Sequence, residues 1–261
     1  MAVIMKNSSL KGLQDAKCAD CTVRSRALFG AVNKDSIRIT QKYRDQHRYF
    51  LAGDILHVEQ HKIDYAFTVH SGCLILYNDL ENGARQILRV ALPGDFVGFS
   101  RNHRGELPYS IKALSDVNIC IFLDSSVQKM MQEQPEIAKR LVDLQLNDAN
   151  LCQQRLLNLG QKTATQGLAY LIMELYSRVR VQYPEIFDSQ TGDTFFPLNQ
   201  EDMGDALGLT KVHISRVVIT FKEQGLIACG HKKLRVLNEE KLSAIGQFDI
   251  SLIDDPFRHF S

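Results

Sequence analysis

The feature that most constrains the fold is the order of short elements between residues 196 and 236. A helical stretch from Gln200 to Ala206 is followed by a turn at Gly208 and by a second helical stretch from about Thr210 to Glu223. Two short apolar runs, LIACG and LRVLN, come next and can pair as a hairpin. Two helices joined by a tight glycine-containing turn and followed by a β-hairpin are typical of a winged helix-turn-helix.

The second of these helices is the candidate for DNA recognition. Residues in the first turns of a recognition helix reach base edges in the major groove. We therefore predict DNA contacts from Thr210, Lys211, Val212, His213, Ser215 and Arg216. Between residues 211 and 235, six basic side chains accompany a single acidic one, Glu223, in a chain with 31 basic and 30 acidic residues. A local basic surface provides the salt-dependent attraction to phosphate that dominates DNA affinity.

The first half of the chain has the pattern of a small antiparallel β structure. Short β-rich runs (YAFTV, CLILY, QILRVAL and NICIFL) lie between residues 48 and 124 and are separated by glycines. Asn82-Gly83, between the second and third runs, is a hairpin signal. We predict an α+β protein in which a cysteine-containing arm (residues 1–30) precedes a jelly-roll-like antiparallel β-roll (residues 31–125).

The pattern turns helical after the β pattern ends, and residues 126–160 are the predicted dimerisation helix region, with the DNA-binding domain in residues 161–261. Pro135 is well placed to open the second helix of this region, a long one along which apolar residues recur at helical spacing. If this stripe faces a second copy of the chain, the dimer seam consists of Ile137, Leu141, Leu144, Asp148, Leu151, Cys152, Arg155 and Leu159. Polar residues in such a seam weaken association but fix its register. The alternative is a helix that packs on its own β-roll.

The chain resembles the Crp/Fnr family of transcription regulators over nearly its whole length. The resemblance rests on Leu92-Pro-Gly-Asp-Phe-Val-Gly-Phe99 in the roll, on the turns at Gly53-Asp54 and Ser71-Gly72, and on the segment from Asp202 to Arg216. It implies a β-roll, a long dimerisation helix and a C-terminal winged helix-turn-helix, in that order. It also implies a regulator that binds an inverted repeat of double-stranded DNA as a homodimer and has RNA polymerase as a partner.

Cyclic AMP is not the ligand that we expect for this chain. Family members that bind cyclic AMP carry a Gly-Glu stretch that ends in Arg-Ser. The glutamate holds the ribose, and the arginine pairs with the cyclic phosphate. Here Gly94-Asp95 is present, but Tyr109-Ser110 stands at the place of the Arg-Ser pair, so the phosphate would lose its charge-assisted partner. Lys112 is a basic residue that can be considered as a substitute.

The cysteines resemble the ligands of the oxygen-responsive branch of the family. In that branch, three N-terminal cysteines and one from the roll bind a four-iron, four-sulfur (4Fe-4S) cluster through their thiolates. Cys18, Cys21 and Cys120 match three of these ligands, and Ala27 or Phe29 stands at the place of the fourth. The resemblance therefore implies an incomplete cluster site.

The missing cysteine leaves three hypotheses open. A cluster can be completed by a non-cysteine ligand, for which Asp20, Asp15 or an exposed iron site are candidates. Alternatively, Cys18 and Cys21 bind a different metal or form a redox dithiol. In the third hypothesis the cysteines have no such role, and a small effector in the roll or the abundance of the protein controls its activity.

The recognition helix departs from the reading of DNA that is common in the family. Relatives with Glu-x-x-Ser-Arg read a TTGA-type half-site, in which the arginine donates to guanine and the glutamate accepts from cytosine. Val212 stands at the place of that glutamate. We expect Arg216 to read guanine, Ser215 to contact an adjacent base or phosphate, and Val212 to contact a thymine methyl group.

The sequence also excludes several function classes. No P-loop, dinucleotide-binding fingerprint or nucleophile elbow indicates an enzyme. No apolar run reaches the ~18 to 20 residues that a membrane span requires. We therefore expect a cytoplasmic, non-enzymatic DNA-binding regulator without a membrane partner.

Overall fold

The computed structural model describes residues 21–31, 41–230 and 233–253. Its N-terminal half contains β1 (Gln46–Phe50), β2 (Ile55–His57), β3 (Tyr65–Ser71), β4 (Leu74–Asp79), β5 (Arg85–Ala91), β6 (Phe96–Val97), β7 (Ser110–Ala113) and β8 (Val117–Leu123). These strands pair antiparallel in two four-stranded sheets, in the orders β1–β8–β3–β6 and β2–β7–β4–β5. The predicted antiparallel β-roll is confirmed.

Apolar side chains from both sheets fill the interior of the roll. Phe67 and Ile119 come from the first sheet, Leu74 and Ile111 come from the second, and all four are almost completely buried in one cluster. The predicted hairpin at Asn82-Gly83 joins β4 to β5, and Gly83 adopts a φ of +80° there. Glycine adopts this left-handed conformation without steric cost, so the turn is encoded locally.

The α-helices from residue 124 onward are α1 (Asp124–Glu133), α2 (Pro135–Gln161), α3 (Ala164–Gln182), α4 (Gln200–Leu207), α5 (Lys211–Glu223) and α6 (Glu239–Gly246). Pro135 opens α2 as predicted, because the first turn of a helix requires no backbone donor from it. Thr163 and Gln166 form a capping box that begins α3. With 27 residues, α2 is about 40 Å long. Among the described helices, none combines the length and the apolarity needed to cross a membrane.

The apolar part of the predicted dimer seam requires a correction. Four of its members are buried or partly buried by this chain itself: Ile137, Leu141, Leu144 and Leu151. The first three pack in a cluster with Phe29 and Phe122, on the outside of the roll. Periodicity correctly predicts an apolar face on α2, but Ile137, Leu141 and Leu144 on that face pack against their own roll rather than a second copy. Cys152 and Leu159, in contrast, are exposed.

The charged part of the predicted seam is also used within the chain. Asp148 forms an ion pair with Arg89 of β5, and Arg155 forms one with Glu174 of α3. Glu174 is completely buried, so its carboxylate depends on the arginine for compensation. These two residues therefore hold α2 against its own roll and α3, which is the alternative that the sequence left open.

The second part of the predicted N-terminal arm packs against the roll. Residues 21–31 form turns that end in a short 3-10 helix over Leu28–Ala31. The ring of Phe29 lies 5.5 Å from the ring of Phe122, in an edge-to-face arrangement that favours aromatic pairs. Tertiary contacts therefore give this short segment its conformation, since it is too short to form a core of its own.

A buried charged network joins the roll to α3. The Oδ2 atom of Asp95 lies 2.7 Å from Nη2 of Arg178 and 3.1 Å from Nη2 of Arg89, and it accepts a hydrogen bond from the backbone N–H of Leu92. Burial by itself raises the pKa of Asp95, but the two guanidinium groups outweigh this effect and hold the pKa below its usual value. Because an unpaired buried charge is costly, these contacts specify where α3 lies on the roll.

Replacing Asp95 is expected to destabilise the protein severely. Asp95→Asn removes the charge that compensates two buried guanidinium groups, and we expect it to lower the free energy of unfolding by about 3 to 5 kcal/mol in urea denaturation. The lowered pKa means that this contribution is complete above the unfolded-state value of about 4 and is lost as the pH falls through the folded-state value. The difference between Asp95→Asn and the unchanged protein should therefore shrink below about pH 4.

The matched control is the exposed ion pair between Lys129 and Glu133 on α1. Lys129→Ala should leave the urea midpoint unchanged, because solvent screens this pair. Equal effects of Asp95→Asn and Lys129→Ala would show that the buried network does not stabilise the fold.

Candidate nucleic-acid interface

The two helices of the predicted helix-turn-helix begin at side-chain caps. The Asn199 side chain accepts hydrogen bonds from the backbone N–H groups of Glu201 and Asp202, at 2.8 and 3.0 Å, and begins α4. The Thr210 hydroxyl accepts from the backbone N–H of His213 at 3.3 Å and begins α5. Such caps satisfy helix N–H groups that have no partner within the helix. Thr210 therefore defines where the candidate recognition helix starts.

Two glycines determine how closely α4 and α5 approach each other. Gly208 ends α4 in the left-handed conformation, with a φ of +64°. A Cβ atom at Gly204 would lie only 2.5 Å from the carbonyl oxygen of Leu209, so a larger residue would push the two helices apart. The tight turn predicted from the sequence thus depends on one glycine in the turn and on a second one inside α4.

The two faces of α5 differ in burial as the sequence pattern predicts. The inner face packs into the core through Ile214, Val217, Val218 and Phe221. The structure brings the predicted DNA-binding residues together at the N-terminal half of the outer face, where all of them are exposed except Ser215, which is half-buried: Thr210, Lys211, Val212, His213, Ser215 and Arg216. This arrangement gives a protruding helix end that carries hydrogen-bond donors, a hydroxyl group and an apolar tip. It has the geometry needed to enter a major groove.

The predicted wing is present and contains one more strand than the sequence indicated. β9 (Thr194–Phe195) joins β10 (Ile227–Gly230) and β11 (Lys233–Val236) in a sheet of the order β10–β11–β9. Arg235 of β11 lies 3.5 Å from a carboxylate oxygen of Asp193, so part of the basic charge assigned to this region is balanced within the protein. A two-residue strand carries too little periodicity to be found from sequence.

The candidate cluster ligands are only partly described. Cys18, Asp15 and Asp20 lie outside the described residues. Cys21 and Cys120 are half-buried, and the sulfur of Cys120 in β8 lies 3.8 Å from the ring nitrogens of His47 in β1. Within the described ranges, no three His, Cys, Asp or Glu side chains lie close enough together to hold a metal ion.

The residues at the place of the missing cysteine, Ala27 and Phe29, argue against a four-cysteine cluster. Ala27 is 4% exposed and Phe29 is 8% exposed, and Phe29 belongs to the apolar cluster beneath α2. Neither side chain offers an atom that binds iron, and their surroundings favour apolar groups. The residues that the structure describes therefore do not fit a cluster with four cysteine ligands.

The roll also offers a poor fit to a cyclic nucleotide. Tyr109 packs against the apolar cluster between the sheets, and burial raises its pKa, so a neutral phenol stands where a cyclic phosphate needs a cation. Lys112 alternates in β7 with Ile111 and Ala113, whose side chains fill the interior, so it lies on the opposite face of the sheet. Lys112 is therefore not placed to substitute for the missing arginine.

Comparison with known proteins supports the assignment of both halves of the chain. A model of the cyclic nucleotide-binding domain matches residues 47–134, and a model of the Crp-like helix-turn-helix domain matches residues 166–245. The solved structure of FixK2 from Bradyrhizobium japonicum superposes with a TM-score of 0.68 at 23% identity, over 77% of this chain and 96% of that chain. At this identity, the similarity to FixK2 shows the fold.

Relatives that align with most of this chain identify its family. The transcriptional activator protein FnrL of Cereibacter sphaeroides is 31% identical over 218 residues, which cover 83% of this chain and 86% of FnrL. The nitrogen fixation regulation protein FixK of Bradyrhizobium diazoefficiens is 25% identical over 229 residues, which cover 87% of this chain and 93% of FixK. These relatives are transcription regulators and not enzymes, as the sequence predicts. The chain belongs to the Crp/Fnr family of DNA-binding transcriptional regulators.

Proposed function

We propose that the protein is a homodimeric, sequence-specific regulator that binds an inverted repeat of double-stranded DNA in the cytoplasm, with RNA polymerase as a partner. The observation that carries this proposal is the exposed N-terminal end of α5, where Lys211, Val212, His213 and Arg216 project from a helix whose other face is buried. A two-fold dimer places two such helices in successive major grooves, about one helical turn apart.

The dimer is proposed to form through the outer face of α2. Val142, Leu146, Leu156 and Leu159 are 54%, 55%, 64% and 43% exposed on this helix. Positions 142, 149 and 156 repeat every seven residues, and Cys152 and Leu159 repeat at the second apolar position of the same heptads. Such a stripe matches the seam of a two-stranded coiled coil, and it is costly to expose to water. A second copy of the chain is therefore the proposed occupant.

An acidic substitution in this stripe is expected to break the dimer. Leu156→Asp should weaken dimerisation at least about tenfold, because residue 156 lies at a heptad position that faces its symmetry mate, so two carboxylates would meet in the seam. Sedimentation velocity at several concentrations measures this change. The control is Leu80→Asp in the β4–β5 hairpin, where the leucine is 52% exposed. If Leu156→Asp dimerises as well as Leu80→Asp does, the outer face of α2 is not the interface.

Base readout is proposed to depend on Arg216, which would donate two hydrogen bonds to a guanine. Arg216→Ala should cost about 1 to 3 kcal/mol of specific binding and remove the preference at that base pair. Fluorescence anisotropy with the preferred duplex and with a duplex substituted at one base pair measures both effects. Lys222→Ala, at the other end of α5, should instead weaken binding to all sequences alike. Unchanged discrimination in Arg216→Ala would contradict the assignment.

The neighbouring residue Val212 is proposed to contact a thymine methyl group. Its side chain is 60% exposed at the end of α5, and it has no atom that accepts a hydrogen bond from a cytosine amino group. A half-site that differs at one position from the TTGA type is the consequence.

Two hypotheses for the signal follow from the cysteines. In the first, oxygen or redox state acts through a 4Fe-4S cluster held by Cys18, Cys21 and Cys120, with a non-cysteine fourth ligand such as Asp20. In the second, the regulator contains no cluster and responds to a small effector in the roll, to cysteine oxidation or to its own abundance. Because Ala27 and Phe29 are buried and neither has an atom that binds iron, the first hypothesis depends on the non-cysteine fourth ligand.

The two hypotheses predict different absorption spectra for protein purified without oxygen. Bound iron and sulfide, together with a broad absorption band at about 400 nm that is typical of iron–sulfur clusters, would support the first hypothesis. The band should then disappear in Cys18→Ala, Cys21→Ala and Cys120→Ala but persist in Cys152→Ala, whose cysteine lies on the outer face of α2. A colourless, iron-free protein that still binds the inverted repeat would support the second hypothesis.

A further inference from the structure

One arginine of the roll holds the first helix of the helix-turn-helix. Nη2 of Arg85, at the start of β5, lies 2.7 Å from Oδ1 of Asp202 and 2.6 Å from Oδ2 of Asp205. Its Nε atom also donates to Asp205 at 2.7 Å. Both aspartates belong to α4. A single guanidinium group therefore contacts two successive turns of the same helix.

The surroundings of this contact make it directional. The side chains of Arg85, Asp202 and Asp205 are 22%, 7% and 24% exposed, so water screens the contact only in part. The guanidinium group also lies over the ring of Tyr77, 5.8 Å from its centroid. Since guanidinium is planar and its donors have a fixed geometry, such a site constrains orientation as well as distance.

A second hydrogen bond between the same two elements supports this constraint. The side-chain amide of Gln86 donates to the carbonyl oxygen of Ala206, near the end of α4, at 3.3 Å. The roll therefore contacts α4 in its first turn, at Asp202, and in its second turn, at Asp205 and Ala206. Rotation of α4 about Arg85 alone would break the Gln86 contact.

The orientation of α4 is passed on directly to the recognition helix. The backbone of the turn that leads into α5 lies close to Gly204 of α4, at Leu209, so the orientation of α4 constrains that of α5. Asp202 also accepts from the backbone N–H of Asn199 in the capping box of α4, so Arg85 pairs with a residue that is itself held in place. The exposed face of α5 stays uncovered by these contacts. They therefore hold the DNA-binding unit, which consists of α4 and α5, in one orientation relative to the roll and leave the DNA-binding face of α5 free.

We propose that Arg85 is a positioning residue that sets which half-site spacing the dimer accepts. The inference rests on the proposed binding of an inverted repeat by a homodimer. If the two DNA-binding units were free to rotate, the distance between their α5 helices would vary, and several spacings would bind with similar affinity. The Arg85 contact restricts each DNA-binding unit to one orientation, so the dimer is already arranged for one half-site spacing. Binding at that spacing then causes a smaller loss of conformational entropy.

The test compares DNA duplexes that carry the same two half-sites at the preferred spacing and with one or two base pairs inserted or removed. The full-length protein should bind the preferred spacing best. Arg85→Gln should lower affinity for that spacing about tenfold, through the lower population of the correct orientation. It should affect the other spacings less, so that the preference flattens. Binding to a duplex with a single half-site should be unchanged.

The controls separate positioning from general damage to the fold. Arg101→Gln removes a comparable two-point ion pair with Asp124, which lies within the N-terminal half and does not touch the DNA-binding unit. It should leave the spacing preference intact. Arg85→Lys, which keeps a positive charge next to both aspartates, should retain more of the spacing preference than Arg85→Gln does. Should Arg85→Gln fail to fold, Asp205→Asn removes the negative charge from two of the same contacts and leaves the capping box at Asn199 in place.

The outcomes distinguish this inference from the proposed function. If Arg85→Gln and Asp205→Asn keep the spacing preference of the unchanged protein, or weaken all spacings equally, the positioning role is wrong while DNA binding by the dimer stands. If the unchanged protein binds paired half-sites no better than a single half-site, the proposed homodimeric recognition itself fails.

Discussion

The buried pairing of Asp95 with Arg178 and Arg89 is the interaction on which the rest of the structure depends. Charges removed from water are costly unless they are paired and hydrogen-bonded, so both partners must stay in place. Arg178 also donates to the carbonyl oxygen of Val90 and lies beside the buried Glu174, which specifies its position along α3 at several points. Since α3 packs against α5 and α6, this pairing also determines where the DNA-binding half stands on the roll.

The same network connects the parts of the chain that a regulator has to couple. Gln182, at the end of α3, donates its side-chain amide to Asp95 and accepts through its backbone carbonyl from Arg26 of the N-terminal segment. Arg155 of α2 reaches the network through Glu174. The segment next to the N-terminal cysteines, the proposed dimerisation helix and the helix that carries the DNA-binding half therefore share one connected set of polar contacts.

Apolar residues on two faces of α2 differ in burial. Leu141 is 1% exposed because it packs beneath the chain's own roll, whereas Leu146, little more than one turn further along, is 55% exposed. Helical periodicity identifies apolar faces but does not say what covers them. The sequence therefore predicted the helix correctly, but most of the residues that it assigned to a dimer seam are buried or ion-paired within this chain. The position of the roll against α2 shows which apolar face of the helix remains exposed.

Local signals in the sequence determined the elements and their order, including the hairpin at Asn82-Gly83, the turn at Gly208 and the cap at Thr210. These signals act through backbone geometry within a few residues, so they can be read without knowledge of the fold. Only the tertiary structure paired Arg178 with Asp95, 83 positions away, and Arg85 with Asp205, 120 positions away. The physical reason is that such partners are selected by how distant elements pack, and a pattern along the chain contains no record of that approach.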